Sequence, residues 1–155
     1  MNPGDQVGDF ELKDETGTPR TLSSLLATGP VVLFFYPIAS SGGCTQEACH
    51  FRDLAADFAA VGAQPVGIST DDVAKQQVFA SAHSLGYPLL SDEGNKVAKE
   101  IGAHRWFMVG GLRTRRMTFV IGQDRRVISS IASETNFDMH ADQALEILKK
   151  HKAAA

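Results

Sequence analysis

A chain of 155 residues with 43% apolar and 21% charged residues has the size and composition of one soluble globular domain, taken here as 1–155. Its net charge of −3 gives no reason to expect a nucleic-acid or anionic-membrane partner, and two cysteines in this length exclude a disulfide scaffold. Met1 to Asp5 lack the basic and apolar regions of a signal peptide, and the longest strongly apolar run, Val31 to Tyr36, is far too short to cross a bilayer, so a cytoplasmic protein is expected.

In chain order, Phe10-Glu11-Leu12-Lys13 alternates like a short half-buried strand, and Thr16-Gly17-Thr18-Pro19 reads as a turn. Thr21 to Ala27 predicts a short helix closed by Gly29-Pro30. Val31 to Tyr36 is continuously apolar and β-branched or aromatic, the pattern of a strand covered on both faces. A helix is predicted from Cys44 to Val61, with Ala48, Phe51, Leu54, Ala55 and Phe58 on one face and Gly62 as its stop.

Pro65 to Ser69 is the next buried strand. Asp71 or Asp72 then caps a helix with Ala74, Val78, Ala82 and Leu85 on one face, ending at Gly86. Pro88-Leu89-Leu90 forms a short strand, and Val97, Ala98 and Ile101 mark a brief helix ended by Gly102. His104 to Thr114, which holds the single Trp, has no clean period and is read as a loop. Met117 to Ile121 and Val127 to Ile131 pair across Gly122-Gln123-Asp124 as a hairpin. The last helix starts from an Asp138 cap and carries Ala141, Ala144, Leu145 and Leu148, with Lys149, Lys150 and Lys152 complementing its C-terminal end. Strands alternating with helices, then a hairpin and a helix, argue for an α/β sandwich on a mixed sheet.

The stretch from Phe34 to Asp53 concentrates the chemistry. A strand ends at Pro37, a loop of small residues follows, and a helix opens at or beside Cys44. A thiol in the first helical turn lies at the positive end of the peptide dipoles, which favours the reactive thiolate. A lone Cys there is otherwise a buried small residue at a tight turn. Four further chemistries that use cysteine fit poorly. A thioredoxin-type reductase needs two residues between its cysteines, whereas Cys44 and Cys49 have four. A Cys-dependent phosphatase needs an Arg at the position held by His50, and covalent haem needs C-x-x-C-H. A zinc site is disfavoured because Cys49 and His50, adjacent on a helix, point about 100° apart.

Tyr36-Pro37, Ser41, Gly43-Cys44-Thr45, Glu47, Cys49 and Phe51-Arg52-Asp53 together strongly resemble the peroxidatic motif of peroxiredoxins. The second Cys five residues after the first is similar to the bacterioferritin-comigratory (PrxQ) branch. Gly67-Ile68-Ser69-Thr70-Asp71, Pro88-Leu89-Leu90-Ser91-Asp92 and Arg116-Met117-Thr118-Phe119-Val120-Ile121 also resemble family blocks, in family order.

The resemblance implies a thioredoxin-like fold, its central mixed sheet flanked by helices. It implies a peroxidase in which the Cys44 thiolate attacks peroxide and Cys49 resolves the sulfenic acid as a disulfide. Thioredoxin or a similar dithiol would then recycle that disulfide, with no cofactor or metal and with a monomer as the working state. Ser41 matches the family hydroxyl, Pro37 the residue that walls the pocket, Arg116 the Arg that opens the late strand, and Glu47 the acid that orients it. The Gly43 and Cys44 N–H groups are placed to face the peroxide. Arg113 and Arg115, beside Arg116, are read as solvated, and His50, His83, His104, His140 and His151 as structural or surface residues. One departure stands out: the family's Thr-Pro-Gly-Cys is Ser41-Gly42-Gly43-Cys44 here, which keeps the hydroxyl but loses a rigid Pro, so a looser loop is expected. A redox switch that uses the cysteine pair to report oxidant to a partner, without turnover, is the alternative function.

Overall fold

The computed structural model describes residues 1–109 and 112–154, and the side chains among them outside 105–113 and 154. The chain opens with β1 (Glu11–Lys13) and β2 (Pro19–Thr21), then α1 (Leu22–Leu25), β3 (Val31–Phe35), α2 (Gly42–Asp53) and α3 (Ala55–Ala60). It continues through β4 (Gln64–Ser69), α4 (Val73–His83), β5 (Leu89–Ser91), α5 (Lys96–Ile101), β6 (His104–Val109) and β7 (Leu112–Thr114). β8 (Met117–Ile121), β9 (Val127–Ala132) and α6 (Phe137–Ala154) close it. Seven strands form one mixed sheet in the order β2-β1-β5-β4-β3-β8-β9. β3 pairs in parallel with β4 and antiparallel with β8, so the strand that delivers Pro37 and the loop to Cys44 is an interior one, where parallel and antiparallel pairing meet.

Both faces of β3 are buried, as its unbroken apolar run demands. Successive side chains alternate across the sheet. Val31, Leu33 and Phe35 join a core with Leu22, Leu25, Ile68, Ile101 and Phe119 on one side. Val32, Phe34 and Tyr36 join Cys44, Ala48, Phe51, Phe58 and Phe79 on the other, with Ala144 and Leu148 of α6. Phe34 stacks on Phe51 with centroids 4.2 Å apart, which locks α2 against the sheet. No described helix is long and apolar enough to cross a membrane.

Several expectations are corrected. The helix predicted from Cys44 to Val61 begins at Gly42 and breaks at Leu54, where ψ is 7°, so its apolar stripe is shared between α2 and α3. On α4 the buried face is not the Ala74–Val78–Ala82 stripe: Val78 is 65% exposed, while Gln76 and Phe79 are buried. Gln76 is held inside because each end of its amide is satisfied, by Tyr36 Oη on one side and by Ser69 Oγ and the Leu90 carbonyl on the other. β2 takes Pro19 from the expected turn and Thr21 from the expected helix, and the stretch from His104 to Thr114, expected as a loop, holds the antiparallel β6–β7 pair. The side chains of Trp106 and Arg113 lie outside the described residues. The α6 cap is Asn136, whose Oδ1 accepts from the Met139 N–H; Asp138 stands inside the first turn.

Candidate active site

The site is assembled where β3, α2, β8 and α6 meet. Ser41 is the N-cap of α2, with extended φ/ψ of −71° and 158°. Its Oγ accepts the Cys44 N–H at 3.3 Å and donates to the Ile38 carbonyl at 3.2 Å. That capping bond fixes the first turn and stands Cys44, 1% exposed, at its third position. The Cys44 N–H, expected from the sequence to face peroxide, is thus given to Ser41. The loop is also tied from behind, because Asp71 Oδ2 accepts the Ala39 N–H at 2.7 Å.

Arg116 arrives from the opposite side. β3 and β8 pair with Phe35 opposite Met117, so the residue before β8 falls level with the end of β3. The Arg116 side chain is 6% exposed; its Nη2 lies 3.3 Å from Cys44 Sγ and its Nη1 donates to Glu47 Oε1 at 3.1 Å. Burial opposes its charge, but Glu47 and Cys44 outweigh burial and raise its pKa. Cys44 and Glu47 are three residues apart on α2 and so share one helix face. Burial pushes the Glu47 carboxyl up to about 8, against the pull of Arg116. Phe137 completes the enclosure: the Arg116 guanidinium carbon sits 4.7 Å from its ring centroid. A Cβ on Gly43 would meet that ring at 2.6 Å, so only glycine allows Phe137 so close to the helix start.

Of the residues singled out in the sequence, Ser41, Gly43, Cys44, Glu47 and Arg116 come together here. Pro37 is buried just past β3, at the start of the loop. Cys49 lies farther along α2, half-buried, with both thiols free and the helix continuous through both cysteines. Arg115 is exposed and apart from the cluster. A groove of about 530 Å³ opens beside the same loop, lined among others by Ile38, Ser40, Lys75 and Val78, but none of the candidate residues lines it.

Two neighbours lie outside the sequence motif: Phe137, and His140, which the sequence alone places among the structural or surface histidines. His140 is fully buried between Thr118, Ser133 and Glu47. Its signal was present: it precedes Ala144 and Leu148 at helical spacing, so an ionisable ring occupies the core stripe of α6. Among the described residues no group of three or more His, Cys, Asp or Glu is arranged to hold a metal ion.

A buried thiol facing a fixed guanidinium at a helix N-terminus is equipped for nucleophilic attack with stabilisation of developing negative charge. The sequence profile of the AhpC/TSA family matches residues 3–130. This chain belongs to that family. It is similar to Peroxiredoxin Q, chloroplastic, of Arabidopsis thaliana, 40% identical over 152 residues that cover 96% of this chain and 68% of the plant protein. The crystal structure of Peroxidoxin BcpB from Mycobacterium tuberculosis is similar with a TM-score of 0.91 and 56% identity, over 97% of each chain. Peroxiredoxin Q of Xanthomonas campestris is similar at 0.84 and 29% identity, over 92% of this chain and 91% of that one. The fold is therefore the thioredoxin-like fold of peroxiredoxins, on the PrxQ branch, and the chemistry of the family is thiol-dependent peroxide reduction.

Proposed function

We propose that this peroxiredoxin reduces hydrogen peroxide and organic hydroperoxides through Cys44, resolves the product with Cys49, and is recycled by thioredoxin or a similar dithiol. The observation that carries this reading is the 3.3 Å approach of Arg116 Nη2 to Cys44 Sγ, with Glu47 holding the other arm of the same guanidinium. The Cys44 thiolate attacks the distal peroxide oxygen, the O–O bond breaks, and Cys44 becomes a sulfenic acid. The departing alkoxide or hydroxide takes a proton from solvent, equivalent to the one Cys44 released on ionising. Arg116 stabilises the charge that spreads from sulfur to the leaving oxygen. The Ser41 hydroxyl exchanges its bond to the Ile38 carbonyl for one to the peroxide, the Gly43 N–H adds a donor, and Pro37 walls the pocket.

Resolution follows when the Cys49 thiol attacks the sulfenic sulfur, forming the disulfide and releasing water. Five residues of helix separate two Cα atoms by roughly 8.6 Å, beyond the ~7 Å that a disulfide spans without backbone movement. The first turns of α2 must therefore open. The enzyme acts as a monomeric single domain in a reducing, cytoplasmic setting where the dithiol is available.

A coupled assay with thioredoxin, thioredoxin reductase and NADPH tests this: sustained peroxide-dependent NADPH oxidation is expected, abolished in Cys44→Ser. Stoichiometric oxidation without turnover would favour the redox-switch reading instead.

A further inference from the structure

We propose that His140 is a positioning residue of the peroxidatic site, holding Glu47 so that Glu47 in turn holds Arg116 on the Cys44 sulfur. This rests on the reading of Cys44 as the attacking thiol.

Four buried side chains form a closed ring. Arg116 precedes β8 and Thr118 lies two residues on, so both project to the same side of the strand. From Arg116 the ring passes to Glu47 Oε1 at 3.1 Å, and from Glu47 Oε2 to His140 Nε2 at 3.6 Å. It returns to the strand through His140 Nδ1, 2.8 Å from Thr118 Oγ1.

The tautomer follows from the partners. His140 Nε2 lies 2.9 Å from the Ser133 carbonyl, which can only accept, so Nε2 carries the proton. Nδ1 is then the acceptor and Thr118 donates to it. Burial pulls the His140 pKa below its ordinary value, with the Ser133 bond opposing, in keeping with a neutral ring. Glu47 Oε2 is fully buried and has no hydrogen-bond partner among the described residues; His140 Nε2, its proton given to the Ser133 carbonyl, stands 3.6 Å from it. A buried carboxylate with one oxygen unserved is costly to ionise, and a fixed N–H dipole beside it lowers that cost.

The other groups that bear on Glu47 are Arg116 just ahead of β8, Glu134 ahead of α6 and Tyr87 ahead of β5, with Cys44 one turn away on its own helix. Of these only Arg116 favours the carboxylate. Without His140, Glu47 has a single supporting contact, and its rotation frees the guanidinium from Sγ.

The test uses two variants of different reach in a Cys49→Ser background, so that Cys44 is the only thiol. His140→Asn keeps an amide near Thr118 but falls short of Glu47, whereas the longer amide of His140→Gln reaches the Nε2 position. Thiolate ultraviolet absorbance is followed against pH, with circular dichroism to verify folding. His140→Asn should raise the Cys44 titration midpoint by about one unit, a tenfold loss of thiolate below that midpoint. His140→Gln should restore most of it. Adding Glu47→Gln should abolish the difference between the two variants, because the effect travels through Glu47.

A merely structural His140 would lower melting temperature in both variants and leave the titration unmoved, which would overturn the proposal. So would a shift of equal size in the Glu47→Gln background. If His140→Asn does not fold, nitrogen NMR of the wild-type imidazole decides: Nε2 should be the protonated nitrogen and its resonance should move in Glu47→Gln, and an unmoved resonance refutes the contact. Turnover retained by Cys44→Ser would instead sink the underlying reading.

Discussion

Arg116 Nη2 stands 3.3 Å from Cys44 Sγ although 72 residues separate the two in the chain. The register of β3 against β8 sets that approach, and Glu47 and Phe137 hold the guanidinium once it is there. Removing the cation should therefore act on the chemical step. Arg116→Ala is expected to slow Cys44 oxidation by more than about tenfold, which is about 1.4 kcal/mol of barrier. Arg116→Lys should recover only part of the rate, since an ammonium cannot serve Sγ and Glu47 as a planar fork does. Arg115→Ala, at an exposed position, should be close to silent. Stopped-flow oxidation rates distinguish these, and equal losses at 115 and 116 would mean a diffuse field with no specific contact.

The two glycines before Cys44 should behave oppositely. A Cβ at Gly43 collides with Phe137, whereas one at Gly42 meets nothing within 4 Å. Gly43→Ala should displace the ring that covers Arg116, costing about 1–3 kcal/mol and slowing peroxide consumption. Gly42→Pro should stabilise by about 0.4–1 kcal/mol, because Gly42 is the first helical residue and Ser41 already has the extended backbone that precedes a proline. Urea denaturation of the two variants checks both signs.

Glu47 gives the fold a distinctive pH dependence. Its carboxyl is raised by burial from 4.5 to about 8, so between those values the native state holds a proton that the unfolded chain has lost. The stability this contributes is fully present below pH 4.5 and disappears as pH rises through about 8. Its slope is at most about −1.4 kcal/mol per pH unit. Glu47→Gln should remove that slope, so the stability difference between wild type and variant should change steadily across this window. A pH-independent difference would show that Glu47 is already ionised at the acidic end.

Much of this was legible in the residues. The unbroken apolar run of β3 announced a strand buried on both faces, and the structure brings Ser41, Gly43, Cys44, Glu47 and Arg116 close together. What was not legible depended on partners distant in the chain. The small apolar stripe of α4 suggested a core face, but Gln76 is buried instead because Tyr36, Ser69 and Leu90 satisfy its amide. The β6–β7 stretch lacks a helical or alternating period, so local pattern missed its pairing. His140 looked like one histidine among five, and only the packing of α6 brings it to Glu47.

Opening of α2 during resolution should be limited by the bonds that pin its middle. Tyr87 Oη donates to the Ala48 carbonyl at 2.6 Å, next to Cys49. If that bond must break for the cysteines to meet, Tyr87→Phe should speed disulfide formation up to about fivefold, the equivalent of one hydrogen bond. Hydrogen exchange from Ser41 to Phe51 should rise in parallel on oxidation and fall back on reduction. An oxidised form with the disulfide closed and α2 unbroken would contradict the opening step.

The central claim is that Cys44 takes the oxygen and Cys49 clears it. Single-turnover mass spectrometry with one equivalent of peroxide tests it most directly, on wild type, Cys44→Ser and Cys49→Ser. Wild type should end as the Cys44–Cys49 disulfide, Cys49→Ser as a trapped sulfenic acid on Cys44, and Cys44→Ser unmodified with its peroxide unconsumed. Rapid oxidation of Cys49 in the Cys44→Ser protein, with peroxide consumed at the wild-type rate, would contradict the account.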